Sequence, residues 1–340
     1  MTIRIEKTLN NQTRYPNQES IFLKPCFRHA LAQEYRLESV DIDISSPGGL
    51  AEKPLKQSLW LPGYLKKTAS GRRLIIGAGF EQTGLTSQFN NEQFLTAINT
   101  LSQTASSQNI RQLEVRTQHI IPCQHDHSDK VELSIQLDSS CDERLHQFSK
   151  STRRNLRLPF RHGFHYVIGK ESQQLNDFYR LYQVCMHNLG SLPHSKDFFT
   201  TLWQDCHEDI ELFIGYMDEN PVVASFHFVS KKEIYGAWGC AHPKYKKYSV
   251  FLNMLWLILQ HCESTGRHSY NLGRTSINSN AYRFKKRLAN RERRIHYYCF
   301  EPTSENKPRT AIYDAASWLI RSTPPQVMHG LSRKLLHHFY

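Results

Sequence analysis

Apolar residues recur along this chain at two spacings, and the spacing switches several times. In the first 140 residues they are sparse. Residues 22–35 carry them at helical spacing, and 41–45 (DIDIS) alternate as a strand does. Pro47-Gly48-Gly49 is a turn. Residues 72–80 (RRLIIGAGF) read as a buried strand, with glycines where a neighbouring backbone can come close. Phe94, Leu95, Ile98 and Leu101 predict a helix over 91–105; strands are expected at 113–116 and 131–137 (VELSIQL). The first 18 residues are polar and read as a loose lead-in.

The second half is more apolar and more regular. Ser140 and Glu143 form a capping box that opens a helix. On it Lys150, Arg153, Arg154 and Arg157 share about 100° of arc by the 3.6-residue period, opposite Leu145, Phe148 and Leu156. Pro159 ends it by removing an amide, and a strand follows at 164–168. A long amphipathic helix covers 175–189 and stops at Gly190; Ser195 caps a shorter one containing Phe198, Phe199, Leu202 and Trp203. Three strands come next, at 211–217, 222–229 and 234–240, with polar turns between them. Ser249 is placed to cap a helix running to 264 that is apolar nearly all round, hence buried. Strands at 269–272 and 295–300 close this half. Residues 311–321 predict a helix, Pro324-Pro325 breaks it, and 327–339 read as a basic amphipathic tail helix.

This element order is that of an N-acetyltransferase-like (GNAT) domain, although other α+β folds share it. The chain has 340 residues, more than one ordinary core holds, so two domains are expected. The boundaries read from sequence are a lead-in at 1–19, a degenerate first domain at 20–140, a second at 141–302 and a helical tail at 303–340. Hydrophobic residues make up 39% and charged residues 22%, a globular balance with no membrane-spanning run. The N-terminus lacks the apolar core of a signal peptide. Eight cysteines are scattered without a C-x-x-C pair, which favours a reduced, cytoplasmic protein over a disulfide framework. Lys and Arg number 43 against 31 Asp and Glu, a net +12 that favours anionic partners without choosing among them.

Residues 270–287 (YNLGRTSINSNAYRFKKR) carry the densest chemistry. Arg274 follows a strand end, a polar loop able to wrap a ligand comes next, and Lys285 stands behind Phe284. A planar guanidinium suits phosphate or carboxylate. Tyr235 and Trp238 lie three apart on one strand, so simple alternation sends them to opposite faces and at most one lines a cleft. Lys244, Lys246 and Lys247 precede a helix N-terminus, a place that suits a donor phosphate, though no Q-x-x-G-x-G/A pattern accompanies them. The stripe of Lys150, Arg153 and Arg154 either tracks phosphates of an acceptor or RNA, or is a solvated face. Cys123, His125, Asp126 and His127 cluster in a polar loop without a fourth ligand at a recognisable spacing, so no metal site is assigned. Cys240 reads as a buried, inert thiol rather than an acyl carrier, and no clear general base stands out.

KSTRRN at 150–155, FYRLY at 178–182, IYGAWGCAHPKYKK at 234–247 and LGRTSINSNAYRFKK at 272–286 together resemble the Fem-type (FemAB-like) aminoacyltransferases, a branch of the GNAT superfamily. LPGYLKK at 61–67, GRRLIIGAGF at 71–80 and LEVR at 113–116 resemble its first half more loosely. The resemblance covers roughly 20–302. It implies tandem GNAT-like (acyl-CoA N-acyltransferase-like) domains, α+β, each a mixed, mostly antiparallel sheet flanked by helices. It also implies transfer of an acyl or aminoacyl group to an amine on a nucleotide- or lipid-linked cell-envelope or polysaccharide precursor. The donor would be an acyl-CoA or an aminoacyl-tRNA, with no tightly bound cofactor. By the resemblance Lys285 is the lysine that faces the donor, where a cation stabilises a developing oxyanion or a phosphate; Phe284 either stacks on the donor or packs in the core. Asn271 stands where the family often has Asp, and Arg287-Leu288 where Trp-Gly is common. Two rival readings stay open: a basic nucleic-acid-binding protein, or a scaffold, on an inactive GNAT-like fold. The tail at 326–340 either docks on the body or touches the inner face of a membrane.

Overall fold

The structure is a computed structural model and describes residues 2–8, 20–45, 59–68, 71–79, 91–121, 126, 128–300 and 320–323. In chain order its elements are β1 (Thr2–Lys7), α1 (Pro25–Tyr35), β2 (Glu38–Ser45), β3 (Leu59–Thr68), β4 (Gly71–Ile76), α2 (Asn91–Ser107), β5 (Ile110–Thr117), β6 (Lys130–Gln136), α3 (Cys141–Gln147) and α4 (Lys150–Arg157). They continue as β7 (His165–Gly169), α5 (Ser172–Leu189), α6 (Lys196–Asp205), β8 (Ile210–Met217), β9 (Asn220–Val229), β10 (Glu233–Ala241), α7 (Val250–Ser264), β11 (Ser269–Ser276), α8 (Asn280–Lys286), β12 (Arg291–Arg294) and β13 (His296–Phe300). The chain divides into two compact units, residues 1–131 with 293–307 and residues 132–292 with 308–340.

The first unit is a sheet in the order β1-β2-β3-β4-β5-β13, antiparallel throughout except where β4 meets β5. Residues 2–7, expected in a loose lead-in, instead pair along β2, with Ile3 opposite Ile44 and Ile5 opposite Ile42. The alternation in TIRIEK is short, and the polar run after it hid the strand. Ile98 and Leu101 of α2 pack on Leu74, Ile76 and Val115 of the sheet. Arg28 on α1 is buried: it donates to Asp41 at 2.7 Å and to the Val40 carbonyl at 2.8 Å, and its guanidinium lies 5.4 Å from the Trp60 ring. Asp126 accepts from the Ser128 and Tyr297 amides, with His296 at 2.9 Å, so it fastens its loop to β13. Cys123, His125 and His127 lie outside the described residues.

The second unit is a sheet in the order β12-β6-β11-β10-β9-β8-β7. Strands β7 to β10 form an antiparallel meander; α7 then crosses over so that β11 returns parallel to β10. Two strands sit differently from their place in sequence: β6 joins this sheet and β13 the other, because non-local pairing decides membership. Phe226 and Phe228 point to the face covered by α5 and α6, where Phe178, Phe199 and Trp238 gather; Phe199 and Trp238 are 5.1 Å apart between centroids. His227 points the other way, under α7, whose His261 binds Glu211 at 2.8 Å. The Ser140 capping box is present, but the helix it opens stops at Gln147; Ser149 caps a second helix, α4, and the basic stripe belongs to that one. Among the described residues no helix is long and apolar enough to cross a membrane. Of the tail only residues 320–323 are described, so the expected helix at 327–339 lies outside them.

Removing Arg28 strands the Asp41 carboxylate in a dry interior. Arg28→Ala is expected to lower the unfolding free energy by about 3 kcal/mol, read from the urea midpoint of the first unit's transition; a loss below about 0.5 kcal/mol would mean that the pair is not buried in solution.

Candidate active site

The site begins where two strands stop pairing. β10 and β11 run parallel through Glu233↔Ser269, Ile234↔Tyr270 and Tyr235↔Asn271, then part, although β10 continues to Ala241 and β11 to Ser276. Each strand carries a local reason. β10 has a bulge between Gly236 and Trp238. β11 has Gly273 at φ +71°, where a Cβ would lie 2.9 Å from the Gly236 carbonyl oxygen. Only glycine combines that backbone with that approach. Asn271 is buried, and its Oδ1 accepts the Gly273 amide at 2.9 Å, fixing the turn. The acceptor oxygen is what this position needs. A neutral amide supplies it without burying the charge that Asp would bring, which accounts for the departure from the family pattern.

The divergence turns the carbonyls of Gly273 and Arg274 toward α8. The loop expected across 275–283 is in fact half helix: Ser279 caps α8 by accepting the Tyr282 amide at 3.0 Å and bonds Thr275 at 3.1 Å. Two helical faces then do different work. Phe284 rests on Phe251 of α7, ring centroids 5.7 Å apart, which makes it a packing residue. Lys285 folds back to donate to Arg274 O at 3.1 Å and Gly273 O at 3.4 Å. Burial, and then the neighbouring Arg274 charge, push its ammonium down to about 8, while Glu132 opposes them. Glu132 is buried on β6, the strand next to β11. Sequence reasoning passed over it because VELSIQL reads as one apolar face and one wet face; both faces are buried here. A carboxylate at a middle position of a strand between two others was the available signal.

Lys285, Arg274 and Tyr235 therefore come together. The Tyr235 hydroxyl lies 3.8 Å from where a Gly273 Cβ would be. Trp238 does not join them, and the expectation of opposite faces fails for both aromatics. The bulge skips one residue, so Tyr235 opposes Phe228 and Trp238 opposes Phe226, on the same face. Trp238 is spent among Phe198, Phe199, Phe226 and His194.

Lys150 and Arg154 are exposed and Arg153 half-buried on α4, which is anchored to α7 through Asn253 Nδ2 and Leu156 O at 2.6 Å. Lys244, Lys246 and Lys247 are exposed on the 3-10 turn Pro243–Tyr248 leading into α7. Ser249 stands at the α7 N-cap but in the left-handed region, and its side chain makes no capping bond, contrary to expectation. Cys240 is buried with its thiol pushed up by burial, as an inert side chain would be. Among the described residues no His, Cys, Asp and Glu group of three or more could hold a metal.

Residues 146–286 match the family described as acetyltransferase (GNAT) domain. That span ends on α8 and includes Arg274 and Lys285. The matched span lies within the second unit. The fold of the whole chain is similar to that of FemX, at 10% identity and a TM-score of 0.60 over 89% of this chain and 96% of that one. It is also similar to L-PGS from Bacillus licheniformis (11% identity, TM-score 0.51, 86% of this chain and 92% of that one). A tandem GNAT protein from the clavulanic acid biosynthesis pathway matches at 7% identity and a TM-score of 0.51, over 90% of this chain and 100% of that one. The architecture shared with these structures is the tandem GNAT-like one. A search of the curated proteins finds no sequence match.

Because burial disfavours the Lys285 cation, the unfolded chain binds the proton more tightly than the native one. The group's contribution to stability thus rises with pH between about 8 and the ordinary lysine range. Lys285→Met is expected to raise the denaturation midpoint at pH 7, with the gain over wild type shrinking by pH 10. A gain equal at both pH values would contradict the buried-cation description.

Proposed function

We propose that the second unit transfers an acyl or aminoacyl group from an activated donor to an amine, forming an amide, with Lys285 supplying the positive charge at the reacting carbonyl. The observation that carries this reading is the Lys285 ammonium held on the Gly273 and Arg274 carbonyls at the point where β10 and β11 separate. Past that point the strands no longer pair with each other, so their polar groups are available to a donor. A substrate carbonyl set beside the ammonium develops negative charge as the neutral amine attacks its carbon. A cation already in place stabilises that charge without reorganising. Collapse of the tetrahedral adduct breaks the bond to the leaving group, a thiolate for an acyl-CoA or a ribose oxygen for an aminoacyl-tRNA. The leaving group takes up one proton, and the new amide nitrogen loses one. The exposed guanidinium of Arg274 suits a donor phosphate or carboxylate. Tyr235 closes the wall behind Gly273.

Lys244, Lys246 and Lys247 extend the positive field toward a donor's phosphates. Lys150, Arg153 and Arg154 on α4 suit an acceptor that carries phosphate, as a nucleotide- or lipid-linked envelope or polysaccharide precursor does. The described cysteines are all free thiols, which fits a reducing, cytoplasmic setting.

Lys285→Ala is expected to lower kcat/KM by about 100- to 1,000-fold without unfolding the protein, measured with whichever of acetyl-CoA and charged tRNA raises the melting temperature in a thermal-shift screen. Wild-type kcat should decline above pH 8 as Lys285 loses its charge. Full activity in the mutant would overturn the assignment. A kcat that climbs through pH 8 would make the neutral lysine the proton acceptor instead.

A further inference from the structure

The turn that leads from α4 into β7 has no role in the transfer site, yet its composition is unusual. Residues 149–168 hold five Lys and Arg residues and no Asp or Glu. Lys150, Arg154, Arg157 and Arg161 are exposed and Arg153 is half-buried. Among the described residues none of the five has an ion-pair partner. Leu156 is the one buried residue of α4, so the i, i+3, i+4, i+7 cations run along the arc away from α7.

An apolar tip lies at the end of this stripe. The 3-10 turn Pro159–His162 closes at Gly163, whose φ of +72° reverses the chain in open space, with nothing within 4 Å of where a Cβ would be. Phe160 is 47% exposed on that turn, leaning on Phe164 at 5.5 Å between centroids. On β7, the outermost strand of its sheet, Tyr166 is 41% exposed on the side where Phe164 lies against Gly215; Val167, 39% exposed, faces the other side and is not part of the tip. Among the described residues, large hydrophobics this exposed otherwise occur only singly, at Ile120 and Leu189. Arg157 and Arg161 bracket Phe160 in sequence.

We propose that this surface, the basic arc of α4 with the Phe160–Tyr166 tip, docks on an anionic lipid bilayer. Cations near an anionic leaflet are drawn to its surface potential, and aromatic rings settle at headgroup depth. Phosphate contacts alone would suit a nucleic acid equally well. The tip separates the two: Phe160 stands on a turn that reverses in open space, a convex point suited to the acyl boundary, whereas single-stranded nucleic acid stacks its bases on aromatics along a groove. Lys150, Arg153 and Arg154 of this arc are the cations already offered to the acceptor, but Phe160, Arg157 and Arg161, like Tyr166, take no part in transfer, so variants at those positions distinguish failure of docking from failure of transfer. If both hold, the acceptor is brought to the enzyme on a membrane.

The test is co-sedimentation of the full chain with vesicles of phosphatidylglycerol mixed into phosphatidylcholine, against vesicles of phosphatidylcholine alone. Binding is expected to the first and not the second, weakening as salt is raised. Phe160→Ser should weaken it about tenfold, the loss of one buried aromatic anchor only part-inserted. Arg157→Ala combined with Arg161→Ala should weaken it about 30-fold, on roughly one surface contact each. Ile120→Ser, on the other unit, should leave it unchanged, and all variants should melt with wild type. Equal binding to both vesicle types, or wild-type binding by both the Phe160 and the arginine variants, overturns the proposal. So does generic RNA binding that the arginine variant loses and Phe160→Ser retains, which would make this a nucleic-acid surface.

Discussion

The second unit depends on the contact between two glycines across a parallel strand pair. Gly273 lies so close to the Gly236 carbonyl that no side chain fits, and its left-handed backbone bends β11 away from β10. Asn271 holds that bend from below through its side-chain oxygen. Everything at the site follows from the separation. Beyond the last paired residues the Gly273 and Arg274 carbonyls both accept from Lys285. The bulge in β10, between Gly236 and Trp238, is the matching irregularity on the other strand, and it brings Trp238 to the face that Tyr235 already occupies.

The cation at this junction is held at an energetic cost. Its own burial and the Arg274 charge both oppose protonation, while the Glu132 charge and the two main-chain oxygens it donates to support it. A lysine wanted for stability alone would be placed in water. One kept half-buried, with its donors on main-chain oxygen, is poised to exchange those weak partners for a substrate's developing charge. Phe284 and the Ser279 cap supply the rigidity this requires, since α8 is a short helix and would not hold a side chain in register unaided.

Much of this was legible in the sequence, and the failures have physical causes. The meander, the buried α7 and the long α5 were visible because strand and helix periods differ and the runs are long. The stretch at 270–287 was visible as strand, arginine, aromatic, lysine. Trp238 was misassigned because one bulged residue inverts strand parity, and nothing local in YGAWG announces a bulge beyond its two glycines. Glu132 was missed because burial of the polar side of β6 is a property of the sheet, not of the strand. The exchange of β6 and β13 between sheets is likewise non-local. α8 looks like loop in sequence because Asn, Ser and Thr dominate its approach; that same composition is what caps it.

Everything proposed for the site requires Lys285 to be a buried cation next to Arg274 at the β10–β11 divergence. Its side-chain resonance, followed by NMR in lysine-labelled protein across pH 6 to 11, tests this directly. A midpoint near 8 that moves upward in Arg274→Gln is the expected result. A midpoint in the ordinary lysine range, near 10.4 and unmoved by that substitution, would contradict it.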